Sequence, residues 1–172
     1  MLAASKSPNC QAFYNFSTSS VTLPTQTLYS ATKLVTEQLA KAYGFTNIRP
    51  YSVYGPGEAA HRFIPTVIRA LHTGEKITLD TLAKHDWVYI DDFINALKLD
   101  GSTEIGSGRN YSNGFIVDVL QNISGKELKC EFGVIREYDT YEWQAPKGVP
   151  CRTIEEGLKQ TYEYFTRENN RD

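Results

Sequence analysis

One stretch decides which architectures are open to this chain. From Leu28 the residues Ala31, Leu34, Val35, Leu39 and Ala42 repeat at helical spacing, and Gly44 is placed to cap the helix. Asn47 to Val53 then takes the apolar pattern of a strand, ended by a Gly55-Pro56-Gly57 turn. A second unit follows directly. Pro65 falls in the first turn of a helix carrying Val67, Ile68 and Leu71 and closed by Gly74, and Trp87 to Ile90 is the next apolar run. Helix and strand alternate too regularly here for an all-helical or all-β chain, so the fold class is α/β.

The flanks extend the pattern. Ala12 to Phe16 reads as a short buried strand running into the hydroxyl cluster Ser17 to Ser20, and Leu23-Pro24 marks a loop. Asp91 reads as the N-cap of a helix holding Phe93, Ile94 and Leu97. Beyond Gly101 the order loosens: Ile105 in a strand, a helix through Phe115 to Ile123, an edge strand over Glu127 to Val134. Thr153 and Glu156 then form a capping box opening a terminal helix through Leu158, Tyr162 and Phe165. Residues 1–100 and 101–172 are therefore read as two segments.

Composition narrows the function classes. The chain has 172 residues, one domain or a domain with a lobe, and its formal net charge of −2 presents no basic face for nucleic acid. Its three cysteines, Cys10, Cys130 and Cys151, lack metal spacing and read as free thiols of a reducing cytoplasm. No apolar run reaches the roughly 18 residues of a membrane span, and Met1 to Ala4 is too short and too soon polar for a signal peptide. No metal, no membrane and a cytoplasmic setting are the expectations.

Three segments carry chemistry. In YSATK, Tyr29 and Lys33 are four apart and share one helix face. An ammonium close to a phenol favours the phenolate, so the pair is a candidate general base. Alone, the spacing is one that a chain with 11 tyrosines produces by chance. RPYSVYGPGE (Arg49 to Glu58) is a strand and turn, and HDWVYIDDF (His85 to Phe93) a strand running into a helix.

Taken in this order, the three resemble the second half of an extended short-chain dehydrogenase/reductase of the NAD-dependent epimerase/dehydratase family, which works on nucleotide sugars. The resemblance implies the C-terminal part of a Rossmann-type parallel sheet with flanking helices, plus a small mixed α/β substrate-binding lobe. By it, Tyr29 takes a proton from a sugar hydroxyl as hydride leaves for the nicotinamide, and Lys33 also holds the nicotinamide ribose. FSTSSV (Phe16 to Val21) is similar to the family's hydroxyl segment, with Thr18 as the hydrogen-bond partner of the reacting oxygen. The same cluster could instead satisfy backbone groups at a strand end. Pro50 and Tyr51 match positions lining the nicotinamide pocket, and Ser52 stands where the family has a substrate-contacting asparagine. His85 stands where the family's arginine grips the diphosphate; it is either a weaker diphosphate contact or a packing residue. Arg136 resembles a second diphosphate-contacting arginine. Ser19 and Ser20 occupy the Asp-Glu positions that eliminate water in the 4,6-dehydratase branch, so that branch's acid and base are missing.

Gly106-Ser107-Gly108 completes no phosphate-binding pattern and is similar to a family turn. The glycine-rich pyrophosphate turn of the family is likewise not found in these residues. Leu2-Ala3-Ala4 resembles the end of the helix before the fifth strand. The resulting expectation is a truncated relative, doubtful as a stand-alone enzyme, that needs a partner chain for NAD or forms a homodimer. The alternative is a non-catalytic nucleotide-sugar-binding or dimerisation module.

Overall fold

The computed structural model describes residues 9–10, 12–99, 103–133 and 142–169. In chain order its elements are β1 (Tyr14–Phe16), α1 (Leu28–Ala42), β2 (Thr46–Pro50), β3 (Ser52–Tyr54), α2 (Phe63–Thr73), β4 (Ile77–Leu79), β5 (Lys84–Tyr89), α3 (Ile90–Leu99), β6 (Glu104–Ile105), β7 (Asn110–Ser112), α4 (Asn113–Ser124), β8 (Cys130–Phe132) and α5 (Ile154–Asn169). One parallel ladder runs β1-β2-β6. A second has β5 at its centre, parallel to β3 and antiparallel to β7, and β4 pairs in parallel with β8. The α/β class holds, as a mixed fold of parallel ladders with flanking helices.

The run expected as one strand, Asn47 to Val53, is two. At Tyr51 the backbone leaves the ladder: its N–H donates to the Ile105 carbonyl (3.0 Å) and its own carbonyl accepts from Val53 N–H (2.9 Å). That two-residue closure is a γ-type turn, and it follows Pro50, which has no N–H to offer a neighbouring strand. The chain therefore passes from the first ladder into the second.

Other boundaries moved for local reasons. The third helix begins at Ile90, so Asp91 lies inside its first turn with Asp92 rather than capping it. Carboxylates there favour the helix through its dipole. The expected strand at Trp87 begins earlier, at Lys84, and the edge strand expected over Glu127 to Val134 is confined to three exposed residues, Cys130 to Phe132. The terminal helix opens with the expected capping box: Thr153 N–H donates to Glu156 Oε2 (3.0 Å) and Glu156 N–H to Thr153 Oγ1 (3.2 Å).

The core follows the period of β5. Trp87 and Tyr89 face one apolar cluster with Ile64 and Ile68 of α2, Leu120 of α4 and Leu158 of α5, while Val88 faces a second with Ile48, Phe93 and Ile105. Gly157 lets α5 lie against β3, since a Cβ there would collide with the Tyr54 hydroxyl.

Helix α1 turns much of its apolar stripe outward. Ser30, Glu37 and Ala40 are buried, while Val35 and Leu39 are exposed. The cause is an ion triad. Arg49 grips Glu37 with two donors, Nε to Oε1 at 2.8 Å and Nη2 to Oε2 at 2.7 Å, and reaches Glu104 with Nη1 at 2.8 Å. The triad ties α1, β2 and β6 together, and the Arg49 hydrogen bond holds the Glu37 carboxyl below its ordinary value against the opposing effect of burial.

Removing one partner leaves the other charge without its match. Glu37→Gln is expected to lower stability by about 3 kcal/mol in urea titration, and Arg49→Met by a similar amount. Because the folded carboxyl sits below its unfolded value, its contribution is present above the unfolded value. It is lost as pH falls through the folded one, so the Gln variant should show a shallower acid destabilisation than the wild type.

Candidate functional site

The segment after β1 is held by its hydroxyls. Thr18 caps a short 3₁₀ turn over Ser19–Thr22, its Oγ1 accepting from Ser20 N–H at 3.3 Å and lying 3.1 Å from Ser20 Oγ. Ser19 Oγ donates to the Pro50 carbonyl at 2.9 Å, pinning the turn to the end of β2. Thr18 thus takes the backbone-satisfying role open to the cluster, in a turn packed against α1.

Tyr29 is in the first turn of α1, started by a reciprocal cap in which Thr27 N–H donates to Ser30 Oγ (2.8 Å) and Ser30 N–H to Thr27 Oγ1 (3.2 Å). The tyrosine is 57% exposed, and Lys33 Nζ lies 5.9 Å from its ring centroid. Lys33 Nζ donates to the Phe16 carbonyl at 2.8 Å. An ammonium has three donors, so two remain for a ligand.

Tyr51 is buried, its ring 5.3 Å from that of Trp143, and burial pushes its hydroxyl up to about 12. Trp143 in turn donates Nε1–H to Thr22 Oγ1 at 3.2 Å. It closes a path from the 3₁₀ turn to Tyr51 that sequence reasoning did not find, because the connection spans most of the chain.

Ser52 and His85 line one cleft of about 320 Å³ together with Val53, Glu58, His61, Arg62, Phe63 and Trp87. They meet because β3 and β5 are parallel neighbours, with Ser52 opposite Trp87. His85 sits edge-on to Trp87 at 5.4 Å between centroids, so it packs as well as lines the cleft. Glu58 was not singled out in sequence, although it ends the motif RPYSVYGPGE. Its side chain is only 11% exposed, Oε1 lies 3.7 Å from Arg62 Nε, and Oε2 has no hydrogen-bond partner among the described residues. Burial pushes its carboxyl up to about 7. Arg136 lies outside the described residues.

Behind the cleft, Asp86 is buried and accepts from Ser107 N–H (2.6 Å), Ser107 Oγ (2.7 Å), Gly108 N–H (2.9 Å) and Ala145 N–H (2.9 Å). The Gly106-Ser107-Gly108 turn is therefore wrapped around a carboxylate of the protein itself, and a Cβ at Gly106 would run into Asp86. Among the described residues no group of His, Cys, Asp or Glu is placed to hold a metal ion, and no helix is long and apolar enough to cross a membrane.

Residues 1–112 match the sequence model of the NAD dependent epimerase/dehydratase family, and the chain belongs to that family. It is 32% identical over 110 residues to a CDP-abequose synthase of Salmonella typhimurium, covering 55% of this chain and 36% of the relative. With a CDP-abequose synthase of Salmonella muenchen it shares 29% identity over 159 residues, covering 77% of this chain and 54% of the relative. Among solved structures, MoeE5 in complex with UDP-glucuronic acid and NAD superposes with a TM-score of 0.79 at 26% identity, covering 90% of this chain and 64% of that one. TunA, an NAD-dependent NDP-hexosamine 5,6-dehydratase, superposes at 0.81 with 23% identity, covering 99% of this chain and 68% of that one. The latter likeness is one of fold, a Rossmann-like α/β architecture. The chain spans about a third to a half of the length of the two curated relatives.

Asp86→Ala would leave four donors facing a void in place of their acceptor. A loss of about 3–5 kcal/mol in urea denaturation is expected. Asp86→Asn, which keeps one oxygen, should lose about half as much.

Proposed function

We propose that this chain carries the substrate side of a nucleotide-sugar enzyme that moves a hydride and a proton at a sugar carbon, with catalysis depending on a partner chain that supplies the dinucleotide-binding half. In this reading residues 1–100 form a partial Rossmann-like segment carrying the Tyr29 helix, and residues 101–172 the substrate-lobe segment and terminal helix. The observation that carries it is the Ser19–Pro50 hydrogen bond (2.9 Å). It joins the turn of Thr18, next to Tyr29 and Lys33, to the strand end that leads through Tyr51 into the Ser52–His85 cleft.

The roles follow from what each group can do. Tyr29 accepts the proton of a sugar hydroxyl, Thr18 donates to the same oxygen, and Lys33 holds a positive charge beside the phenol and offers its spare donors to ribose hydroxyls. Pro50 and Tyr51 wall the nicotinamide end, and Tyr51 stays a neutral phenol, being pushed up to about 12. Ser52 and His85 hold the nucleotide-sugar, with Arg136 as a further contact. NAD, when bound, supplies the hydride acceptor or donor. The fit is to the nicotinamide end: Lys33 has donors to spare, whereas these 172 residues contain no glycine-rich pyrophosphate turn. Ser19 is buried and spends its hydroxyl on Pro50, so it offers no carboxylate for eliminating water. Epimerase or reductase chemistry fits better than 4,6-dehydration. The chain's thiols fit a reducing cytoplasm.

The chain alone should bind NAD weakly in calorimetric titration. Once a partner restores NAD binding and turnover, Tyr29→Phe is expected to lower the rate by about 10²- to 10⁴-fold with melting temperature unchanged. Lys33→Met should cost similar activity. Loss of melting temperature with a merely proportional loss of rate would make the pair structural, and low-micromolar NAD binding by the chain alone would remove the need for a partner.

A second reading, a binding or dimerisation module, is favoured by one surface. Leu28 is 83% exposed, Val35 61% and Leu39 55%, and β1 has no strand partner on its outer edge among the described residues. A second copy or a partner chain would cover both. Light scattering should find the chain self-associated, and Val35→Glu with Leu39→Glu should shift it to monomer. A clean wild-type monomer at dilute concentration would count against self-association.

A further inference from the structure

The cleft that holds Ser52 and His85 also has His61 and Arg62 on its walls, nitrogen groups that can donate to the oxygens of an anionic ligand. Glu58 is the exception. It joins the lining from the turn after β3, where Glu58 N–H donates to the Gly55 carbonyl (3.2 Å). Arg62 stands only at long range, 3.7 Å from Oε1, and Oε2 is buried with no partner among the described residues. The indole Nε1 of Trp87, which lines the same cleft, is also buried and without a partner there. A buried acid oxygen with no donor facing it is poorly placed as an anion but well placed as a hydroxyl.

Resting on the nucleotide-sugar reading above, we propose that Glu58 is a ligand-contacting acid of this cleft, engaging the diphosphate of a nucleotide sugar only in its neutral form, with its carboxyl O–H donated to a ligand oxygen. Ionised, the same group would set a negative charge against the diphosphate in a partly desolvated site. Neutral, it adds a donor. Proton balance follows directly: each molecule whose Glu58 is ionised before binding takes up one proton from solvent as the ligand enters.

The charge state is within reach of ordinary pH, because burial pushes the free carboxyl up to about 7. Below that value Glu58 is protonated and ready to donate. As pH rises through it, the neutral form becomes scarce and affinity falls. His61 and His85 line the same cleft and are the other titratable groups beside it. Arg62 stays cationic throughout. The glutamate's share must therefore be isolated by substitution.

The test is calorimetric titration with UDP-glucose and CDP-glucose, whose diphosphate diesters do not titrate in this range, at about pH 6 and about pH 8. Wild-type affinity should weaken about tenfold across that interval, with proton uptake near the upper end seen in buffers of different ionisation enthalpy. Glu58→Gln keeps a donor and cannot ionise, so it should bind at both pH values about as tightly as the wild type does in acid. The double variant His61→Asn with His85→Asn should retain most of the wild-type pH slope, and melting curves confirm that each variant is folded. A Gln variant with the full wild-type slope would overturn the proposal, as would a wild type without one. If the folded wild type binds neither sugar nucleotide at either pH, the nucleotide-sugar reading of the cleft fails and this inference with it. The two failures are therefore distinct.

Discussion

The buried carboxylate of Asp86 is the point on which the ligand-facing side depends. It sits in the middle of β5 with His85 and Trp87 on either side, and it gathers two main-chain donors and one hydroxyl from the 107–108 turn and another main-chain donor from Ala145. Several short hydrogen bonds to one side chain leave both of its oxygens matched inside the protein. Because alternate residues of a strand face opposite ways, anchoring Asp86 on one side fixes Trp87 on the other. The cleft wall is thus set from behind. The same carboxylate draws the chain near Ala145 over the ladder, which brings Trp143 against Tyr51.

Helix α1 answers to two demands at once. Its inner face carries Glu37 to Arg49, an arrangement that makes sense only with Glu104 of β6 on the far side of the guanidinium. Its outer face then has to carry the larger apolar residues, which no described part of the chain covers. Tyr29 and Lys33 stand near the seam, where Lys33 turns inward to the Phe16 carbonyl while the phenol stays open. An apolar face of this kind is costly to leave in water.

What could be read beforehand was what is local. The Thr153–Glu156 cap, the Gly44 and Gly74 endings and the helical run from Pro65 each depend on residues a few positions apart, and each stands where the pattern put it. The reciprocal cap at Thr27 and Ser30 escaped notice because a serine, not a Glu or Gln, occupies its third position. The stripe of α1 was legible as helical spacing, but the side that goes in is chosen by Arg49 and Glu104, and that spacing carries no information about them. The break at Tyr51 is of the same kind, since its N–H partner, Ile105, lies in a distant strand. Ser52 and His85 were singled out for related roles, and the register of β3 against β5 brings them to one cleft; Glu58 belongs with them because the turn after β3 folds its side chain back.

The cleft also shows how a fold keeps polarity in reserve. A buried donor or acceptor left unmatched costs about 1–3 kcal/mol, which selection for stability alone would tend to remove. Trp87 could be replaced in a purely apolar wall by phenylalanine, which needs no partner, and Glu58 by a residue that does not resist burial. Each instead keeps one atom unmatched, a donor on Trp87 and an acid oxygen on Glu58, beside an arginine too far from Oε1 for a close hydrogen bond. Burial favours the neutral form of Glu58 over the ionised one, so the group rests most easily as a hydrogen-bond donor at the edge of the cleft. A ligand oxygen that accepted from the protonated carboxyl would draw part of its binding free energy from relieving a cost that the protein already carries.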